Sequence, residues 1–162
     1  MLCSAPMAFA PRPGGAADPA EVPGGIRTPR PRMLVVDDVE SVRVLLAMML
    51  SRHLGAEPVL AGTCEEALRL SGSTPYDCIL LDLLMPGIGG VEVLRRVRTE
   101  SPNARTPVVV VSAVSDQASM DRCLALGASA YITKPIERHS LISAVSAQIR
   151  AHPPQSPQVT ND

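Results

Sequence analysis

Four stretches of this chain place a reactive or hydrogen-bonding side chain directly after a short apolar run. Asp37-Asp38 follow Met33-Leu34-Val35-Val36, Asp82 follows Ile79-Leu80-Leu81, Ser112 closes Val108-Val109-Val110-Val111, and Lys134 follows Ala130-Tyr131-Ile132-Thr133. Runs of this kind, bounded by turn residues, read as strands buried on both faces of a sheet. If the strands are parallel, all four endings fall on one edge, where the loops of open α/β sheets form their ligand crevice. Three carboxylates gathered there repel one another, and at least one pKa must rise. A divalent cation removes the conflict. Mg²⁺ suits the donors, since it takes oxygen ligands, keeps several waters and binds through one or two carboxylates plus a phosphoryl oxygen. With the cation and Lys134 offsetting negative charge, a phosphoryl group can approach Asp82, a competent carboxylate nucleophile. Ser112 can donate a hydrogen bond to it on arrival. The product is an acyl phosphate on Asp82.

The elements that must position these residues can be read in order. After Asp38, apolar residues Val42, Leu45, Leu46, Met49 and Leu50 recur at helical spacing, with Arg43 and Arg52 off the stripe and Gly55 as the stop. Glu57-Pro58-Val59-Leu60-Ala61 reads as a second strand, and Pro58 places it at a sheet edge. Thr63-Cys64-Glu65-Glu66 has the form of a capping box, opening a short helix through Ala67, Leu68 and Leu70 that Gly72 should close. The run into Asp82 begins at Tyr76-Asp77-Cys78, and Pro86-Gly87 ends any extended structure. Val91, Leu94 and Val97 mark a third helix, with Arg95, Arg96 and Arg98 expected to suit the dipole at its C-terminal end. A fourth helix should run from about Asp116 to Leu126, stopped by Gly127, and a fifth should carry Leu141, Ile142, Val145 and Ile149. Five alternations of strand and helix predict an α/β fold, a doubly wound parallel sheet with helices on both faces.

Composition sets the limits. A chain of 162 residues with 46% hydrophobic and 19% charged residues can bury a sizeable core in one domain. A net charge of −1 gives no global reason to expect nucleic acid or an anionic membrane as partner. The apolar runs are strand-sized, short of a bilayer span, and Met1 to Ala10 lack the basic and apolar regions of a secretory signal. A cytoplasmic protein is expected. Residues 1–31, rich in Pro, Ala and Gly, read as a disordered arm, 32–151 as the ordered domain and 152–162 as a disordered tail. Cys3, Cys64, Cys78 and Cys123 form no C-x-x-C pair, so the last three are expected as reduced core residues. His53, His139 and His152 are scattered and carry no assigned role, while Met48, Met49 and Met120 are expected as ordinary packing.

Asp37-Asp38, the segment Asp82-Leu83-Leu84-Met85-Pro86-Gly87 with Gly90, Ser112-Ala113, and Tyr131 followed by Lys134-Pro135 together resemble the receiver domain of two-component response regulators, of the stand-alone, chemotaxis type. The likeness spans about Arg32 to Ala151. It implies a flavodoxin-like five-stranded sheet of order 2-1-3-4-5. It also implies that Asp82 is the phosphoacceptor, Asp38 a direct Mg²⁺ ligand, Asp37 an outer ligand acting through water, and Leu84 a backbone-carbonyl ligand. Lys134 would pair with the phosphoryl group, Ser112 and Tyr131 would form a switch pair, and Lys134-Pro135 would be a cis peptide. The phosphoryl donor would be a phosphohistidine on a sensor histidine kinase or a histidine phosphotransfer protein. Phosphorylation would then alter the surface formed by the fourth helix, fifth strand and fifth helix, for an unknown downstream protein, for a homodimer, or for onward transfer.

Two other readings use the same residues. A dehalogenase-type Mg²⁺ phosphohydrolase also employs a strand-end aspartate, but it needs an acid two residues later, where this chain has Leu84. A receiver-like module that acts without phosphate would keep the residues and never use them. Each residue alone has an ordinary explanation: an N-cap for Asp37-Asp38, a turn for Ser112, a solvated charge for Lys134, core for Tyr131. Their joint placement at strand ends favours the phosphoacceptor, a signalling protein acting on no substrate but itself. Leu84 and Val114, two residues beyond Asp82 and Ser112, are apolar, so neither can orient an attacking water and self-dephosphorylation should be slow.

Overall fold

The computed structural model describes residues 29–153. The arm expected over 1–31 and the tail expected over 152–162 therefore lie, but for residues 29–31 and 152–153, outside the described residues, as does Cys3. The elements are β1 (Arg32–Val36), α1 (Glu40–Leu54), β2 (Glu57–Ala61), α2 (Cys64–Ser73), β3 (Cys78–Leu81), α3 (Gly90–Glu100), β4 (Val108–Ser112), α4 (Gln117–Ala125), β5 (Ala130–Thr133) and α5 (Arg138–Ala151). All strand pairs are parallel and the order is β2-β1-β3-β4-β5, the doubly wound arrangement expected. The most apolar runs, β3 and β4, are buried at every residue and lie inside the sheet. Pro58, which cannot donate to a ladder, lies in edge strand β2.

Alternate strand residues supply two cores. Leu34, Val36, Ile79, Leu81, Val108 and Val110 face α2, α3 and α4, where they meet Ala67, Leu94, Val97 and Cys123. Met33, Val35, Cys78, Leu80, Val109 and Val111 face α1 and α5, meeting Leu46, Leu50, Leu141 and Val145. Each such Leu, Ile or Val contributes about 1.5–3 kcal/mol by leaving water. Sliding a strand by one residue would exchange its two faces, so burial fixes where every strand ends. Cys64, Cys78 and Cys123 are buried and free, and burial pushes the Cys78 thiol up to about 12.

Several local expectations need correction. In α1, Leu46 and Leu50 are buried, but Leu45 is 44% exposed and Met48 56% exposed. The stripe itself holds, since Val42 and Met49 pack against the same core as Leu46 and Leu50, and only Leu45 at its margin turns outward. Gly72 does not end α2, which continues to Ser73 and stops at extended Thr74. Pro75 follows, and the residue before a proline is driven out of helical conformation. Thr63 accepts from the Glu66 amide at 3.1 Å, but the Glu66 carboxylate takes the N–H of Gly62 at 2.9 Å, one residue before the cap. Arg95 and Arg96 pair with the Glu92 carboxylate at 2.8 and 2.9 Å, and Arg95 also reaches Glu100 at 3.4 Å, so their partners are acidic side chains.

Arg98 and Asn103 are structural residues whose importance the sequence does not announce. Arg98 donates twice to the Gly127 carbonyl, at 3.0 and 2.7 Å, and again to Thr106 at 2.7 Å, tying the α4–β5 turn to the α3–β4 loop. Asn103 is fully buried. Its amide donates to the carbonyls of Ser71 and Thr74 at 2.7 and 2.8 Å, while its oxygen accepts from the Tyr76 amide at 2.8 Å and the Thr106 hydroxyl at 3.0 Å. One side chain thus completes the backbone bonding of the α2–β3 connection and ties it to Thr106 of the α3–β4 loop, at the edge opposite Asp82. Each buried partner left unpaired costs about 1–3 kcal/mol, so Asn103→Ala should lower unfolding stability by about 3 kcal/mol or more, measured by urea titration. A loss below about 1 kcal/mol would mean that water replaces the amide in full.

Candidate functional site

The sheet carries its hydrogen-bond ladder one residue past the strands. The amide of Asp37 bonds to Ala61 at 3.2 Å, that of Asp82 to Val36 at 2.9 Å, and that of Lys134 to Ser112 at 2.9 Å. These three residues are therefore fixed by main chain before their side chains make any contact.

The side chains converge. One carboxylate oxygen from each of Asp37, Asp38 and Asp82 lies within 4.8 Å of the others. Lys134 Nζ donates to Asp37 Oδ2 at 2.7 Å and to Asp82 Oδ2 at 3.3 Å. Asp37 and Asp82 are buried, at 1% and 4% exposure, whereas Asp38 is open to solvent. The second oxygen of Asp37 accepts from the Val39 amide at 2.9 Å, and that of Asp82 from the Leu84 amide at 3.2 Å. Burial raises the Asp82 pKa; the Leu84 amide and Lys134 pull against that rise, and neighbouring Asp37 adds to it. For Lys134 burial opposes the charge, but the hydrogen bond to Asp37 and the charges of Asp82 and Asp37 outweigh it and raise its pKa. Three clustered carboxylate oxygens, two from buried acids and one from a solvent-facing acid, fit a hard divalent cation such as Mg²⁺.

Ser112 ends the neighbouring strand and is fully buried, its hydroxyl accepting from the Val114 amide at 3.3 Å. Tyr131 is half-buried against the α2–α4 core and donates its hydroxyl to the Val114 carbonyl at 2.7 Å. Ser112 and Tyr131 thus meet at the two backbone groups of one residue. The Lys134-Pro135 peptide is cis. Leu84 turns its side chain to solvent, 57% exposed, at the mouth of the carboxylate cluster.

Gly90 explains how α3 approaches so closely. A Cβ there would collide with the Asp82 carbonyl and stand 2.6 Å from Leu83 Cα, while the Gly90 amide bonds to Leu83 at 3.1 Å. Gly87 and Gly89 hold φ of 91° and 82°, the region other residues avoid. The loop after Asp82 is thus shaped by glycine on both counts.

Residues 33–146 match the family described as the response regulator receiver domain. The chain belongs to that family. Among curated relatives it is 32% identical over 126 residues to the phosphate regulon transcriptional regulatory protein PhoB of Rhizobium meliloti, covering 77% of this chain and 55% of that one. It is 35% identical over 124 residues to the transcriptional regulatory protein ResD of Bacillus subtilis, covering 76% and 50%. The chain spans about half the length of these relatives. Among solved structures, a Francisella response regulator receiver domain is similar at TM-score 0.70 and 29% identity, over 75% of this chain and 98% of that one. The receiver domain of the Pseudomonas aeruginosa sensor histidine kinase PA1611, solved with magnesium in its active-site cleft, is similar at TM-score 0.68 and 27% identity, over 75% and 99%.

The raised Asp82 pKa has a consequence for this receiver's stability. A carboxyl whose pKa is higher folded than unfolded favours folding when protonated, and that contribution is lost as pH rises through the folded value. At neutral pH, ionised Asp82 opposes folding. Asp82→Asn should therefore raise the thermal unfolding midpoint at pH 7 in EDTA, and the gain should shrink on acidification. An unchanged or lower midpoint would show that the Lys134 pairing outweighs the burial.

Proposed function

We propose that this receiver is switched by phosphorylation, with Asp82 accepting a phosphoryl group from a phosphohistidine on a sensor histidine kinase or histidine phosphotransfer protein. The observation that carries this reading is the gathering of Asp37, Asp38 and Asp82 within 4.8 Å, with Lys134 bridging two of them. Mg²⁺, when bound, would neutralise the charge between the carboxylates and the incoming phosphoryl oxygens. Solvent-facing Asp38 suits a direct ligand. Asp37 has both oxygens engaged, by Val39 and Lys134, which suits an outer role through water. Leu84 would offer its backbone carbonyl.

An Asp82 oxygen attacks phosphorus, the nitrogen–phosphorus bond of the donor breaks, and its electron pair returns to the imidazole. The aspartyl phosphate adds a charge of about −1.5 to −2 to the pocket. Lys134 remains cationic and pairs with it. Ser112, whose oxygen accepts from the Val114 amide, would donate its hydroxyl proton to a phosphoryl oxygen, and Tyr131, which bonds to the Val114 carbonyl, would move with the β4–α4 loop. The surface of α4, β5 and α5 then differs between the two states, for an unknown target protein, for a second copy, or for onward phosphorelay. The protein acts on itself only.

Exposed apolar side chains support a protein as phosphodonor. Val39, Leu84 and Ile88 lie on the loops after β1 and β3, and Val44, Leu45 and Met48 lie on α1. Solvated apolar groups beside a buried acid give a partner surface something to cover. No helix among the described residues is long and apolar enough to cross a membrane. The reading places the protein in the cytoplasm, where its buried thiols stay reduced.

Incubation with MgCl₂ and acetyl phosphate should add one phosphoryl mass to the intact protein, and none to Asp82→Asn or to wild type in EDTA. No gain, with no conformational response to beryllofluoride either, would favour the phosphate-independent module. Leu84 and Val114 flank the acceptor with groups that cannot orient water, so the phosphorylated form should be long-lived. Leu84→Asn should shorten its half-life severalfold, followed by mass after removal of the donor. An unchanged half-life would move the cause of stability away from Leu84.

A further inference from the structure

Arg43 stands off the apolar stripe of α1, half-buried, and the described ion pairs involve only Arg95, Arg96 and Lys134 as cations. Its Nη1 donates to the backbone carbonyl of Asp37 at 2.6 Å. That carbonyl belongs to the peptide joining Asp37 to Asp38, so its direction sets how both carboxylates leave the chain. The first amides of α1 are bonded elsewhere, since Val42 and Arg43 both donate to Val39. Arg43 therefore supplies from a side chain what the ladder and the helix do not supply to this peptide.

The β2–α2 loop is built to receive the guanidinium. A Cβ on Gly62 would stand 3.1 Å from Nη1, 3.2 Å from Cζ and 3.4 Å from Nη2, near-equal distances that put the flat face of the group over the glycine. Gly62 has no positive φ, so glycine is needed there for space and not for backbone conformation. The Gly62 amide is held in turn by Glu66 Oε2 at 2.9 Å. Lysine could reach the same carbonyl, but only a planar guanidinium fills this slot.

We propose that Arg43 is a positioning residue for the divalent cation: clamped over Gly62, it fixes the Asp37–Asp38 peptide so that the acidic pair is preorganised for Mg²⁺. The proposal rests on the metal-dependent reading of the site given above. Groups that orient metal ligands from the outer shell typically change affinity by about 10–100-fold when removed. Here the group acts on main chain, and the low end of that range is expected.

The test is titration of the full chain with MgCl₂, following the amide NMR shifts of Asp38 and Leu84. Arg43→Ala should weaken Mg²⁺ binding about tenfold while remaining folded. Gly62→Ala, which keeps the arginine but crowds its seat, should weaken it by a smaller factor. The double variant should bind no more weakly than Arg43→Ala alone, because both changes act through one contact. Thr106→Val, which removes a hydroxyl bonded to Tyr76 and Asn103 at the far edge of the sheet, should leave Mg²⁺ affinity unchanged while lowering stability. If Arg43→Ala does not fold, the Gly62→Ala result decides. Mg²⁺ binding by Arg43→Ala within about twofold of wild type, or tighter than wild type, would overturn the proposal, the latter by showing that charge outweighs position. Failure of the wild type to bind Mg²⁺ would instead overturn the metal reading and the proposal with it.

Discussion

Mutual repulsion among Asp37, Asp38 and Asp82 is the constraint on which the rest of the structure depends. Two unit charges 4 Å apart in a protein surface environment oppose each other by about 4 kcal/mol, and here one ammonium pairs with only two of the three acids. Such a cluster persists only where the backbone leaves the carboxylates nowhere else to go. The sheet provides that rigidity, because its strands are buried on both faces and its ladder extends to the amides of Asp37 and Asp82. The stress is released by whatever brings positive charge. The pocket is thus primed for a cation before any ligand chemistry is considered.

The same arrangement makes one region of the surface easier to move than the others. Of α4, only Cys123 is fully buried, whereas α3 buries Gly90, Val93, Leu94 and Val97. The C-terminal end of α4 is tied down by Arg98 through Gly127. Its N-terminal end follows the loop containing Val114, whose amide and carbonyl bond to Ser112 and Tyr131. The helix is thus fastened at one end and hung from two hydroxyl contacts at the other. Elements with few buried apolar contacts are where proteins open and shift at least cost.

The loops around the site are held by contacts of two kinds. Glycine removes bulk where chains must approach, at Gly90 against Asp82 and at Gly62 under Arg43. Long side chains then reach back to main-chain carbonyls, Arg43 to Asp37 beside the acids and, at the opposite edge, Arg98 to Gly127 and Thr106. Neither arginine has an acidic partner among the described ion pairs, so each is held by carbonyl dipoles alone. Asn103 works beside Arg98 at that opposite edge.

The sequence by itself determined the order of elements, the parallel sheet, the edge position of the Pro58 strand and the convergence of Asp37, Asp38, Asp82 and Lys134. Apolar runs ended by a polar residue leave little choice once strands are parallel, since their endings must share an edge. It did not determine how wide the buried stripe of α1 is, because Leu45 and Leu46 carry the same local information and only Leu46 is buried. Nor did it mark Asn103, Arg98 or Arg43, whose partners are backbone carbonyls and amides that every residue possesses and that spacing therefore cannot reveal. Gly72, expected to close a helix, lies exposed within it, and Gly62, which no local pattern marks, makes room for a guanidinium. Local pattern records what a residue prefers; only the packed chain decides which distant carbonyl, face or neighbour that preference meets.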